Sequence, residues 1–409
     1  MGALVFFLFF LAVLALVYFS SKFLHRAIGY GDLLSPCYGF PIIYALVYGL
    51  GVLELSPWER ALDDKQLILH LAALVFYFAG VFLACFNYKK KEFHVVRKNK
   101  HFEKITIYAL FLITFVVTLY IFSIVGNPLT SGNTQHVRTL TIQIAGGWLT
   151  YIYRTIILSS FLLYAGCRAG LILNDKLITR VAILIIGMLC CVVSGYRAYA
   201  ITLFFMVIIF DNFYCNKLTL TRSSVYLFIF AFAFALTGAL RSLNDYYGFS
   251  GLVSVWDRVL IEVQTPAFTL ETLQDNIPSK IEYFGLNMLW WPIAALLPGD
   301  QPSIGIELKW LLGINWEGGG MAPSISGGYY MIGGTTTVLL GLMLNGYILA
   351  RSYTSAAECK SIYSIGLYAY LFVYSLNAIR GGFFQEFILL WFVGILLTLG
   401  YLFEKRASG

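Results

Sequence analysis

Several arginines of this chain stand beside or within long apolar runs, where a charge is costly. Arg197 interrupts "GMLCCVVSGYRAYAITLFFMVIIF" at 187–210, between two runs that would each cross most of a bilayer. Arg154 lies inside another apolar run, and Arg241 and Arg380 stand at the ends of two more. A guanidinium group binds phosphate or carboxylate through two hydrogen bonds. Together these arginines predict a site for an anionic ligand near one membrane face.

Each arginine also has an alternative explanation. Arginine at the end of a span can extend to the adjacent headgroups, which applies to Arg197, Arg241 and Arg380. For Arg154 the alternative is an ion pair inside the protein. Arg258 lies four residues before Glu262 in "SVWDRVLIEVQTPAF", so the two can pair on a solvated helix face.

Three carboxylates are candidates for the base that an attacking hydroxyl group needs. Asp245 follows Arg241 by four residues in "RSLNDYYG" and precedes tyrosines that can stack on sugar rings. Its alternative role is an ion pair with Arg241. Glu262 and Glu386 are the second and third candidates. The sequence has no CxxC pair, HExxH motif or glycine-rich nucleotide motif, so we predict neither a metal nor a cofactor.

The composition indicates what must position these residues. Of the 409 residues 59% are hydrophobic and 12% are charged, and a soluble chain would have about 25% charged residues. The apolar residues fall into runs long enough to cross about 30 Å of hydrocarbon as helices. We therefore predict an all-α, polytopic membrane protein with about eleven spans, at 3–19, 33–55, 67–86, 105–125, 145–166, 181–195, 198–212, 223–239, 334–350, 361–379 and 383–403.

The basic residues predict how the spans are oriented. The segment "NYKKKEFHVVRKNKHFEK" at 87–104 has seven Lys and Arg residues, which places it in the cytoplasm by the positive-inside rule. The N-terminus then faces out and the C-terminal segment is cytoplasmic. Contact with anionic lipid headgroups explains the net charge of +7, and no nucleic-acid partner is predicted.

One large outer loop, 240–333, separates the first eight spans (1–239) from the last three and the cytoplasmic tail (334–409). We expect short amphipathic or re-entrant helices in it, because "GLNMLWWPIAALLPGD" is apolar but too short to span. Its end, "WEGGGMAPSISGGYYMIGG", is rich in glycine. That segment either lets the backbone approach a ligand closely or forms a flexible loop.

Four features resemble the O-antigen polymerases, the Wzy family: "SGYR" between two spans, Arg241 after span 8, the single large outer loop, and "PSISGGYYMIGGTTTVLLGLMLNG" at its exit. The resemblance covers about residues 180–400. It implies a GT-C-like, metal-independent glycosyltransferase in the inner membrane of a Gram-negative bacterium, with its active site facing the periplasm. The enzyme would transfer the growing glycan from undecaprenyl diphosphate to the non-reducing end of a new lipid-linked repeat unit.

The resemblance also implies roles and partners. By position Arg197 and Arg241 would bind the donor diphosphate, with Arg258 and Arg380 as further candidates. A flippase and a chain-length regulator would act in the same pathway. The chain departs from the family at Gly328, in "SGGY", near which many members have a glutamate.

Other functions remain open from the sequence. They are a lipid-linked oligosaccharide flippase, an O-antigen ligase and an enzyme that decorates the polymer. The ligase is less favoured because His136, the histidine that we assign to the outer side, lies outside the large loop.

Overall fold

The computed structural model of the protein is mostly helical and describes the greater part of the chain. The predicted span 223–239 and much of the predicted outer loop lie outside the described residues. Those residues are 2–28, 34–53, 63–86, 93–125, 148–172, 176–193, 197–214, 265–279, 281–288, 304–311, 313, 322–382 and 388–408.

The first four predicted spans each contain a helix. Long apolar sequences favour these helices, and three of the four are long and apolar enough to cross a membrane. The exception is the second, whose described helix has only twelve residues. The helices are α1 (Gly2–Ile28), α2 (Gly39–Leu50), α3 (Asp64–Cys85) and α4 (Lys100–Val125).

The predicted span 145–166 is interrupted at Thr155, which lies between helical residues 148–154 and the next helix. The Thr155 hydroxyl donates to the carbonyl of Tyr151 (2.8 Å) and accepts a hydrogen bond from the indole of Trp391 (2.9 Å). A threonine that bonds back to the preceding turn tends to bend a helix. The helices that follow are α5 (Ile156–Arg168), α6 (Leu177–Val193) and α7 (Arg197–Tyr214).

The predicted outer loop contains helical structure, as expected. Residues 265–276 are helical, and two short helices precede the last three long ones. Among these only α11 satisfies the length and hydropathy of a membrane span, which makes four such helices in the described part of the chain. The helices are α8 (Ile304–Leu311), α9 (Ile325–Gly333), α10 (Thr335–Cys359), α11 (Ile362–Gly381) and α12 (Ile388–Phe403).

A small antiparallel sheet joins two segments that the sequence analysis placed on the same side of the membrane. Strand β1 (Phe93–Arg97) belongs to the basic segment, and β2 (Glu404–Ser408) follows α12 directly. In their register Val95 pairs with Arg406. The sheet was not predicted from the sequence, and the predicted alternation of the spans stays a prediction.

The apolar helices indicate a membrane-embedded protein that folds as two compact units. The first unit comprises Met1–Lys90, Leu252–Thr354 and Tyr374–Phe387, and the second comprises Lys91–Gly251, Ser355–Val373 and Ile388–Gly409. The predicted division at residues 239 and 333 describes the course of the chain across a membrane, and it stays a prediction.

Close packing of α3 on α10 fixes the frame of the first unit. A Cβ atom added to Gly80 would overlap the carbonyl of Met343, and one added to Gly346 would overlap the carbonyl of Tyr77. Glycine at both positions therefore lets the two backbones touch, as small residues do in membrane helix pairs. This contact joins the second half of α3 to the middle of α10.

Candidate functional site in the first unit

The site is built around the first residues of α9, inside the glycine-rich segment. Ser324 caps this helix, since its hydroxyl accepts a hydrogen bond from the backbone N–H of Gly327 (3.1 Å). Ser324 has φ 59°, an unusual conformation for a residue other than glycine. Both Ser324 and Ser326 are fully buried. Of the two interpretations of the segment, residues 322–333 are thus not a flexible loop but a buried turn and helix.

A chain of hydrogen bonds links α9 to α2 and α3. The hydroxyl of Tyr44 hydrogen-bonds to the Ser326 hydroxyl and to Nδ1 of His70, both at 2.8 Å. All three side chains are fully buried. A buried polar group is costly unless it is hydrogen-bonded, so this network specifies how α9 packs against α2 and α3.

Tyr48 lies at the centre of the same cluster. Its ring stacks on the imidazole of His70, with 3.9 Å between ring centroids, and lies 4.5 Å from the ring of Tyr44. Its hydroxyl donates to the carbonyl of Ile379 (3.5 Å) and lies close to Ser324 and Ser326. Tyr48 therefore connects the buried cluster to the last turn of α11.

Arg380 follows in that last turn of α11, with an exposed side chain. Two residues later Gly382 has φ 83° and lies against the turn that precedes α9. A Cβ atom at Gly382 would be 2.8 Å from Cγ of Pro323 and 3.2 Å from the carbonyl oxygen of Ser324. The end of α11 and the start of α9 are thus in direct contact. Among the predicted arginines that lie in the described residues, Arg380 is the one that follows the contact with this cluster directly.

Tyrosines of α9 close the other side of the site. The ring of Tyr329 lies against α10 at Gly341, where a Cβ atom would come within 2.5 Å of it. The hydroxyl of Tyr330 donates to the carbonyl of Ile277 (3.2 Å). Burial and the neighbouring Tyr283 raise the pKa of Tyr330 to about 12. Tyr330 therefore stays neutral and acts as a hydrogen-bond donor at ordinary pH.

In the second unit, Arg154 ends the helical residues 148–154, and its side chain lies against the first turn of α7. Its guanidinium carbon is 5.5 Å from the centroid of the Tyr199 ring, a cation–π arrangement. Arg197 is the first residue of α7, two residues before Tyr199. The side chain of Arg154 thus contacts the helix that Arg197 begins, and the predicted roles of both arginines stay predictions.

The other predicted site residues lie outside the described part of the chain, and their roles stay predictions. These are Arg241, Asp245, Arg258, Glu262 and Glu386. Within the described ranges, no group of three or more His, Cys, Asp or Glu side chains could hold a metal ion.

The sequence analysis overlooked the buried members of the cluster. His70 interrupts the apolar sequence "LILHLAALVF", and an ionisable residue inside a span is a reason to suspect a functional site. The same reasoning predicted Arg154 as a site residue, whereas the histidine discussed from the sequence was His136 and not His70. Tyr44 and Ser326 gave no comparable signal, because a tyrosine or serine in a span is common.

Comparison of the chain with known protein families, with characterised proteins and with solved structures found no match.

Proposed function

We propose that the chain is a membrane-embedded glycosyltransferase that polymerises lipid-linked oligosaccharide repeat units. It transfers the growing glycan from undecaprenyl diphosphate to the non-reducing end of a new lipid-linked unit. We also propose that the chain has about eleven spans and a GT-C-like fold, and that it lies in a bacterial inner membrane with its site facing the periplasm. A flippase and a chain-length regulator are the proposed partners.

One observation supports this proposal most directly, namely the contact between the Arg380 end of α11 and the capped start of α9. An anion is stabilised at a helix N-terminus and by a guanidinium group. The diphosphate is the leaving group in this reaction and gains negative charge as the glycosidic bond breaks. Positive groups in fixed positions stabilise that charge and lower the barrier.

The other proposed residues complete the scheme. The Arg154 side chain lies against the first turn of α7, which begins at Arg197. These two arginines, with Arg241 and Arg258, are proposed to bind the substrate diphosphate. One carboxylate accepts the proton of the attacking hydroxyl group. The candidates remain Asp245, Glu262 and Glu386, in that order.

The first experiment is a gel of lipopolysaccharide from cells that lack the gene. Lipid A–core with one repeat unit and no ladder is the expected result, since ligation would continue without polymerisation. Core without any repeat unit would point to a flippase or a ligase instead. An intact ladder would refute all three and leave a decorating enzyme or a different polymer.

A substitution at Arg380 then tests the site. Arg380→Lys keeps the charge but loses the two-pronged hydrogen bond, so we expect the ladder to shorten or disappear at equal expression. Loss of a charged hydrogen bond worth roughly 1.5–3 kcal/mol corresponds to about a 10- to 150-fold slower reaction. Arg26→Lys is the control, because Arg26 lies in the last turn of α1, on the predicted opposite face. If both variants give the wild-type ladder, Arg380 only contacts headgroups.

A further inference from the structure

His70 has one ring nitrogen that the buried cluster does not use. The side chain is fully buried, and its ring packs between Tyr48, at 3.9 Å, and Tyr44, at 5.6 Å between centroids. Nδ1 hydrogen-bonds to Tyr44. Nε2 is buried and has no hydrogen-bond partner among the residues that the structure describes.

The hydrogen-bond chain allows two arrangements, and in one of them Nε2 of His70 is a hydrogen-bond donor. Tyr44 has one hydroxyl hydrogen for its two partners, His70 and Ser326. If Tyr44 donates to Nδ1, the Ser326 hydroxyl donates to Tyr44, and Nε2 of the neutral ring bears the hydrogen. A buried donor without a partner destabilises a folded protein, so its presence needs an explanation. A bound ligand that accepts this hydrogen bond supplies one.

The neighbours of His70 indicate an anionic acceptor. Tyr48 stacks on the imidazole and also donates to the carbonyl of Ile379, the residue before Arg380. The side chain of Tyr48 therefore contacts both His70 and the last turn of α11, in which Arg380 lies. Ser326, at the other end of the hydrogen-bond chain, lies in the first turn of α9, where backbone N–H groups favour an anion.

We propose that His70 donates a hydrogen bond from Nε2 to a phosphate oxygen of the lipid-linked diphosphate. This assignment rests on the proposed function, because that function supplies the diphosphate. In this proposal His70 binds the lipid-linked diphosphate in the arrangement in which Tyr44 donates to Nδ1 and Ser326 donates to Tyr44.

Two substitutions distinguish the proposed ligand contact of Nε2 from the hydrogen bond of Nδ1 to Tyr44, which supports the fold. The amide of an asparagine reaches about as far as Nδ1, so His70→Asn retains a partner for Tyr44 and loses the ligand contact. The amide of a glutamine reaches about as far as Nε2, so His70→Gln retains the donor. His101→Asn is a matched control, because His101 is exposed on α4.

The test measures binding of farnesyl diphosphate to the full chain in detergent micelles by isothermal titration calorimetry. A hydrogen bond to a charged group predicts about tenfold weaker binding or more for His70→Asn. We expect His70→Gln to stay within about threefold of wild type and His101→Asn to be unchanged. Wild-type affinity in His70→Asn with loss in His70→Gln would overturn the proposal.

A second measurement does not require variants that fold. In the ¹⁵N-histidine-labelled wild-type chain, the Nε2 resonance of His70 should shift when farnesyl diphosphate is added. Binding without that shift would overturn the role of His70 alone, whereas no binding to wild type would overturn the proposed donor as well. An equal shift with short-chain phosphatidylglycerol would assign Nε2 to a headgroup phosphate and also overturn the proposal.

Discussion

Replacing Gly382 by alanine tests the contact between α11 and α9 on which the proposed site depends. The residue has φ 83°, and an added Cβ atom would lie 2.8 Å from Cγ of Pro323. The positive φ alone costs an L-residue roughly 1–2 kcal/mol. Overpacking against a tightly packed neighbour adds about 1–3 kcal/mol, so the total is about 2–5 kcal/mol.

Gly285 is the matched control for this substitution. It belongs to the same unit and has φ 57°, but a Cβ atom there would meet nothing within 4 Å. Gly285→Ala therefore carries the backbone cost without the overlap. Because Gly382→Ala must displace the turn that contains Ser324, we expect it to impair the reaction, and Gly285→Ala to leave the reaction unchanged.

The assay combines unfolding of each purified variant in mixed micelles with the lipopolysaccharide ladder made in cells that lack the wild-type gene. Gly382→Ala should lose more stability than Gly285→Ala and should shorten the ladder at equal expression. Equal losses of stability together with two wild-type ladders would refute the reasoning, because the contact would then neither constrain α9 nor support the site.

Three further predictions follow from other contacts. Arg154→Lys and Arg197→Lys should each lose most of the ladder although the charge is kept, and two wild-type ladders would show that these arginines only contact headgroups. Tyr363→Phe removes a hydrogen bond of 3.0 Å to the buried Glu103, so it should lower the free energy of unfolding by about 1–3 kcal/mol and leave the ladder intact. Because the pKa of Tyr330 is raised, the unfolded chain loses this proton at a lower pH than the folded chain. The stability that Tyr330 contributes is therefore present below pH 10 and is lost by about pH 12. Between these pH values, the free energy of unfolding should fall less in Tyr330→Phe than in wild type.

Much of the helical structure follows from the sequence because apolar runs determine it locally. The predicted span 105–125 corresponds to α4, which begins five residues earlier, at Lys100. Span 198–212 likewise falls within α7. Helix ends move because capping and charged first turns extend a helix beyond its apolar part.

The remaining structure depends on contacts between distant residues, which periodicity does not report. Tyr44 and Ser326 are 282 residues apart, and the Thr155 bend depends on Trp391. The helix α9 contains glycine at positions that disfavour a helix in isolation, and burial overrides that preference. From the sequence, only His70 itself could have indicated this cluster, because its partners come together only in the fold.

The pairing of β1 with β2 has a consequence for biosynthesis. About three hundred residues separate the two strands, so β1 emerges from the ribosome long before its partner. At a synthesis rate of about 5–20 residues per second, the wait is roughly 15–60 s. During that time the edge of β1 has no β2 to pair with, and an unpaired edge invites association with other strands. Closure of this sheet is therefore a late step of folding, because it cannot precede synthesis of all the intervening helices.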